Sequence, residues 1–127
     1  MSLPKSTLGL FNDKLIAFFE DLYATYPEER DIKGAIEALQ GAKKINPRLI
    51  LDMFIEHVRN PLREDILSEN DTNVIDYAKK IISTSYNEML SALMIFDKHW
   101  PDMSDANRKA IWNYLKVLVI LSEKVRA

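Results

Sequence analysis

The stretch Leu8–Tyr26, LGLFNDKLIAFFEDLYATY, decides the fold class of this chain. At about 100° per residue, its large apolar side chains fall within one arc of a helix. This arc contains Leu8, Phe11, Leu15, Phe18, Phe19, Leu22 and Tyr26, whereas Asp13, Glu20 and Asp21 lie opposite. Because a proline disfavours helical backbone in the residue before it, Pro27 predicts that this amphipathic first helix ends at Tyr26.

The next segments carry helix-start and helix-stop signals. A second helix is predicted from Glu28 to Gln40, with Gly41 supplying a left-handed ending. Asn46-Pro47 and Asn60-Pro61 each place a good N-cap residue before a proline at the first helical position. These pairs predict one helix from Pro47 to Arg59 and another from Pro61 to Leu67.

Two long helices are predicted in the second half of the chain. After a polar loop at 68–73, apolar spacing predicts a fifth helix over Val74–Asp97. A sixth is predicted over Asp105–Val125, capped by Ser104. The sequence therefore predicts one all-α domain over residues 1–127, with residues 1–6 a flexible tail. We expect this domain to be a compact bundle of five to six helices, in which the first, fifth and last helices supply most of the core.

Composition excludes several classes of function. The chain has no cysteine, which excludes disulfides, thiolate zinc sites and cysteine nucleophiles. Its 17 basic and 19 acidic residues give a net charge of −2, which disfavours strong nonspecific binding to nucleic acid. The longest apolar run, Val117–Leu121, is far below the roughly 20 residues that span a bilayer, and the N-terminus lacks a secretory signal pattern. We therefore expect a soluble, cytoplasmic protein with no membrane partner.

The two ends of the chain carry a family resemblance. The segments Phe11-Asn12-Asp13-Lys14-Leu15 and Phe19-Glu20-Asp21-Leu22 resemble the opening of short uncharacterised helical proteins encoded by large DNA viruses of algae and amoebae. The segment Ile111-Trp112-Asn113-Tyr114-Leu115-Lys116 is similar to the ending of those proteins. The resemblance implies a protein of the infected cell's cytoplasm or of the virion, and it implies no activity, cofactor or site residue.

Polar clusters predict neither catalysis nor metal binding. His57 lies inside the apolar arc of its helix without a partner at ligand spacing, which favours a structural histidine near a helix end over a general base. The turn 97–105 gathers three carboxylates and His99, but its spacing does not match a calcium-binding loop. We therefore expect no catalytic residue, metal, cofactor or small-molecule substrate. Of the three classes of function, namely interaction module, nucleic-acid-associated protein and enzyme, an enzyme has the least support. No local motif supplies a catalytic site, so the site would have to form from residues that only the fold brings together.

Lys43, Lys44 and Arg48 form a local basic patch in the predicted connection between the second and third helices. A helix–turn–helix reader would show polar side chains at the start of its second helix, whereas this one begins Pro47, Arg48, Leu49. A solvated connection is the plainer interpretation. The alternative is a nucleic-acid-associated accessory protein that uses these three cations.

Some apolar residues lie outside the predicted core faces. Leu90 and Met94 are one turn apart beside the main face of the fifth helix, Val117 lies at the edge of the last helix's apolar arc, and Ile120 lies on its polar side. A patch of this kind marks an interface, although a neighbouring helix of the same domain would cover it equally well. The favoured prediction is a noncatalytic interaction or structural module that binds a protein partner or itself through helix faces.

Overall fold

The computed structural model describes residues 6–84 and 88–126, apart from the side chains of residues 82, 84, 88–90 and 126. Throughout these ranges the regular elements are helical, so the predicted all-α bundle is confirmed. The helices are α1 (Thr7–Thr25), α2 (Arg30–Ile45), α3 (Pro47–Phe54), α4 (Asn60–Leu67), α5 (Asp71–Thr84), α6 (Met94–Lys98) and α7 (Asp105–Arg126). A π-helical turn, Ile55–Arg59, joins α3 to α4, and 3-10 turns at Glu88–Leu93 and Trp100–Asp102 flank α6.

Helices α1 and α7 form the centre of the bundle, and their predicted bounds are confirmed within two residues. The Ser6 hydroxyl caps α1 by accepting the Gly9 N–H at 3.0 Å. The Ser104 hydroxyl accepts the Asn107 N–H at 3.2 Å at the start of α7. The two helices pack side by side and antiparallel, and α2 packs against α1. A serine cap therefore sets the start of each central helix.

Most of the described core comes from the first, fifth and last predicted helices, as the sequence predicts. Buried side chains on α1 and α7 include Phe11, Leu15, Phe18, Phe19, Leu22, Ile111, Trp112, Leu115, Leu118 and Val119. The range of the predicted fifth helix adds Val74, Ala78, Leu93, Ile95 and Phe96. The segment from α3 to α4 supplies a further share with Ile50, Leu51, Phe54, Val58, Leu62 and Ile66. Near α6, Trp100 and Trp112 are both buried with their ring centres 5.3 Å apart.

Helix α2 does not end at Gly41. It continues to Ile45, and Gly41 lies within it without a positive φ. The helix ends where Asn46, the residue before Pro47, takes a non-helical backbone (φ −151°, ψ 87°), since proline disfavours helical backbone in its predecessor. Lys43 and Lys44 therefore lie in the last turn of α2, where the helix dipole favours cations, rather than in a connection.

Helix α4 covers the predicted Pro61–Leu67 helix, but Asn60 does not cap it, so the predicted boundary between α3 and α4 is wrong. Asn60 has helical backbone, and its N–H donates to the Ile55 carbonyl five residues earlier. Pro61 has no N–H, and in a regular α-helix its ring would clash with the carbonyl of His57. The π turn widens the backbone at this point, and the His57 carbonyl instead accepts the hydroxyl of Tyr77. The His57 side chain is half-exposed within this turn.

The predicted fifth helix is divided, so its continuity is also wrong. Helix α5 begins within the predicted polar loop, where the Asn70 carboxamide oxygen accepts the Asn73 N–H at 3.1 Å. Its described part runs to Thr84, and the next described residues, Glu88–Leu93, form a 3-10 turn instead of an α-helix. The Ser83 hydroxyl donates to the Lys80 carbonyl at 3.0 Å. Residues 85–87 lie outside the described part.

Glu69 ends α4 in a left-handed conformation with φ 57°, and the Asn70 N–H then reaches the Asp65 carbonyl at 2.8 Å. Within the described ranges, the bundle contains no helix that is long and apolar enough to cross a bilayer.

Candidate functional site

A groove of about 300 Å³ lies between the C-terminal half of α1 and the N-terminal half of α7. We call it the α1–α7 groove. Its lining residues are Phe18, Asp21, Leu22, Ala24, Thr25, Tyr26, Met103, Asn107, Ala110, Ile111 and Tyr114. The α1 residues recur every three to four positions, as do those of α7, because each helix presents one edge to the groove.

The groove has an apolar floor and a more polar rim. Four of its lining side chains are buried, namely Phe18, Leu22, Met103 and Ile111. The rim includes the exposed residues Asp21, Thr25 and Asn107. Ala24 and Ala110 are also exposed, and their small side chains keep the space between the helices open. Ligand sites commonly combine apolar walls with a few polar groups in this way.

Asp21 and Tyr114 form the polar centre of the groove. The Tyr114 hydroxyl donates to the Asp21 carboxylate across the two helices. This hydrogen bond, together with burial and the charge of Asp21, raises the pKa of Tyr114 to about 12. The Nζ of Lys14 lies 4.8 Å from the centre of the Tyr114 ring, within range of a cation–π interaction. Tyr114 is therefore held protonated and in place at neutral pH.

Tyr26 closes the other end of the groove. Its ring stacks on the His99 imidazole with centres 4.1 Å apart and planes inclined by 20°. Burial raises the pKa of the Tyr26 hydroxyl, and the negative charges of Glu28 and Asp102 raise it further. This end of the groove is therefore set in a negative electrostatic environment.

Glu29 anchors His99 beneath this end of the groove. Its carboxylate is buried, and its Oε1 lies 2.9 Å from the Lys98 Nζ and 3.2 Å from the His99 Nε2. A carboxylate only accepts hydrogen bonds, so the His99 Nε2 carries the proton. The hydrogen bond from Lys98, opposed by burial and aided by the hydrogen bond from His99, lowers the pKa of Glu29.

Glu28, Glu29 and His99 are also the described residues with the most suitable spacing for a metal ion, since one ligand atom from each lies within 4.8 Å of the others. The Lys98 ammonium already occupies the Glu29 carboxylate, and a lysine cation in that position repels a divalent metal. The expectation that the 97–105 turn binds no calcium or zinc stays a prediction. The sequence did not reveal Glu29 as a partner of His99, because 70 positions separate them.

The described interaction residues predicted from the sequence lie on two different helices, α6 and α7. Val117 and Ile120 are 39% and 47% exposed on α7. Ile120 is exposed as its place on the polar side of the helix predicts, and Val117, at the edge of the apolar arc, is exposed as well. We call this pair the outer face of α7. Met94 is half-buried at the start of α6, and the side chain of Leu90 lies outside the described residues. Val117, Ile120 and Met94 do not line the α1–α7 groove.

The predicted basic patch is exposed but partly neutralised. Lys43 Nζ lies 2.6 Å from the Asp13 carboxylate, and Arg48 Nε lies 3.8 Å from that of Asp52. A shallow depression beside α1 and α2 places Lys43 and Lys44 together with Asp13 and Glu20. The three predicted cations are therefore interspersed with carboxylates.

Known proteins give no match to this chain, either in sequence or in fold. No protein-family model matches the chain, and neither a curated protein nor a solved structure matches it. The resemblance to helical proteins of large DNA viruses therefore stays a prediction.

Proposed function

We propose that this protein is a noncatalytic interaction module that binds another protein through the faces of its helices. The observation that carries the proposal is the α1–α7 groove, in which a buried apolar floor opens between two helices. A groove of this form is a recurring seat for the apolar face of an amphipathic helix. Phe18, Leu22 and Ile111 are only 4–5% exposed, so they form the base of the groove, and the exposed side chains of Ala24 and Ala110 offer apolar contacts at its sides.

The outer face of α7 supports a second contact, between copies of the chain. Val117 and Ile120 stand one turn apart, and Leu10 of α1 is also 47% exposed. The antiparallel packing of α1 and α7 places the Leu10 end of α1 beside the C-terminal half of α7. Neighbouring exposed apolar side chains of this kind are a feature of protein interfaces.

The groove is tested by titrating the protein with a neutral amphipathic helical peptide of Leu, Ala and Gln. We expect the wild-type chain to bind it in isothermal titration calorimetry. Ala110→Trp should abolish binding because the indole fills the groove. Ala106→Trp is the matched control, since Ala106 is exposed on the same helix but does not line the groove. Equal binding by both variants would contradict the groove as the binding site.

The outer face is tested with Val117→Glu combined with Ile120→Glu. Changes at exposed sites usually alter the unfolding free energy by about 0.5 kcal/mol or less, so this variant should stay folded. It should keep its affinity for the peptide but lose self-association in sedimentation velocity. Self-association that persists in this variant would remove the outer face of α7 from the proposal.

A nucleic-acid-associated protein is the second candidate. It is supported by the run 43–49, in which every residue is exposed and three are cations. The ion pairs of Lys43 and Arg48 with carboxylates weaken it.

A further inference from the structure

We infer that the helix that binds in the α1–α7 groove is basic, and that it places a lysine or arginine side chain beside Asp21. This inference rests on the proposed function, because it specifies the chemistry of the partner at the same groove.

The charge of the rim is negative. Among the lining residues, Asp21 alone carries a formal charge, and it is exposed. One oxygen of the Asp21 carboxylate accepts the Tyr114 hydroxyl. A carboxylate has about four lone-pair sites, so Asp21 can still accept a hydrogen bond from a cation. At the other end, Glu28 and Asp102 act on the Tyr26 hydroxyl with their negative charges. A basic helix would meet a carboxylate on the rim and further negative charge at the Tyr26 end.

The aromatic lining supplies an apolar wall beside Asp21. Phe18, Tyr26 and Tyr114 all line the groove, and each ring also has a partner within the chain. The ring centre of Phe18 lies 5.0 Å from that of Tyr114, Tyr26 stacks on His99, and Lys14 Nζ lies 4.8 Å from the centre of the Tyr114 ring. An aromatic lining beside a carboxylate suits a side chain that has both an apolar stem and a cationic head.

Most cations around the groove are engaged elsewhere. Arg108 follows the lining residue Asn107, but its guanidinium donates to the carbonyls of Trp100 and Pro101 at 2.6 and 3.1 Å. Lys98 and His99 both contact the Glu29 carboxylate. These positive charges are therefore held by partners within the chain, and the carboxylate of Asp21 remains available to a ligand on the rim.

The test compares three helical peptides with one apolar face of Leu and Ala and a polar face of Lys, Gln or Glu. We expect the Lys peptide to bind the intact chain most tightly and the Glu peptide least, with differences that shrink as salt is added. Asp21→Asn keeps an oxygen that can accept the Tyr114 hydroxyl and should weaken the Lys peptide about twofold to fivefold, as expected for one exposed ion pair. Glu37→Gln, the same charge change on the exposed side of α2, is the matched control and should leave the preference unchanged.

The outcomes separate this inference from the proposed function. If no peptide binds, the groove is not a seat for a helix and both fail. If all three peptides bind equally, the groove function stands and the basic partner is overturned. If the Lys preference falls equally in Asp21→Asn and Glu37→Gln, it comes from the charge of the whole molecule, and the placement of a cation beside Asp21 is overturned.

Discussion

At the scale of single residues, the structure joins side chains that are far apart in the sequence. Tyr114 and Asp21 are 93 positions apart, and His99 and Glu29 are 70 apart. The helical angle of Ile120 predicted its exposure, because it lies on the polar side of its own helix, whereas the angle of Val117, at the edge of the apolar arc, did not decide between exposure and burial. The Asp21–Tyr114 hydrogen bond could not be predicted in this way, because it depends on how two helices are aligned.

The Asp21–Tyr114 hydrogen bond predicts a loss of stability in alkali. The pKa of Tyr114 is raised to about 12 in the folded protein, mainly by this bond, whereas an unfolded tyrosine titrates near 10. The contribution of protonated Tyr114 is therefore complete below about pH 10 and is lost as the pH rises toward 12. Urea unfolding should show that wild type is more stable than Tyr114→Phe at pH 8, and that this difference disappears near pH 12.

The control for this prediction follows tyrosinate absorbance. Asp21→Leu removes the hydrogen-bond acceptor and should shift the alkaline titration of Tyr114 to lower pH. The absorbance of Tyr114 alone is obtained by subtracting the titration of a double variant that carries Asp21→Leu and also lacks Tyr114. A stability difference between wild type and Tyr114→Phe that is independent of pH would show that the hydroxyl contributes nothing through its protonation.

At the scale of elements, local signals predicted the helices well and their junctions poorly. Pro27 predicted the end of α1 and Ser104 predicted the start of α7, because these signals act within a few residues. The Ser6 cap of α1 was not predicted. Helical backbone continues through Gly41 and Pro61. Gly41 has no positive φ, and a side chain there would meet nothing within 4 Å, so nothing at this position requires glycine, while the π turn accommodates Pro61.

The π turn predicts an energetic coupling between Pro61 and Tyr77. Because Pro61 cannot donate to the His57 carbonyl, the Tyr77 hydroxyl does so, and a hydrogen bond of this kind contributes about 0.5–1.5 kcal/mol. Tyr77→Phe should therefore reduce the unfolding free energy by that amount in the wild type. The loss should be smaller in Pro61→Ala, where a backbone N–H becomes available to the same carbonyl.

A double-mutant cycle of chemical unfolding measures this coupling. Tyr23→Phe, a half-buried tyrosine on α1, is the matched control and should be additive with Pro61→Ala. Strict additivity of Pro61→Ala with Tyr77→Phe would mean that the proline and the tyrosine do not share the His57 carbonyl.

At the scale of the whole molecule, the sequence predicted the fold class. For function it predicted only a broad class, a noncatalytic interaction or structural module, and no partner. Apolar periodicity depends on each helix separately, so the all-α bundle could be predicted without knowing how its helices pack. The α1–α7 groove could not, since Ala24 and Ala110 read as ordinary surface positions until the two helices are placed side by side. The groove is a property of the assembly of helices rather than of any one of them.

The charge of the whole molecule predicts weak contact with nucleic acid. Each phosphate contact makes log affinity fall with log salt by a slope of about 0.9 on duplex DNA, and a chain of net charge −2 gains few such contacts. We expect fluorescence anisotropy with a labelled duplex to detect no binding near physiological salt. Tight binding there, abolished by Lys43→Glu with Lys44→Glu but not by Lys79→Glu with Lys80→Glu, would favour the second candidate function.

The pairing of Trp100 with Trp112 decides what the intrinsic emission of this protein reports. These are the two tryptophans of the chain, both are buried, and their rings lie 5.3 Å apart in edge-to-face contact. Excitation is shared between indoles at this separation, so the chain behaves as a single chromophore located where Trp100 packs on α7. A red shift of the emission therefore marks the entry of water at that place, while a local opening of the corner between α2 and α3 leaves the emission unchanged.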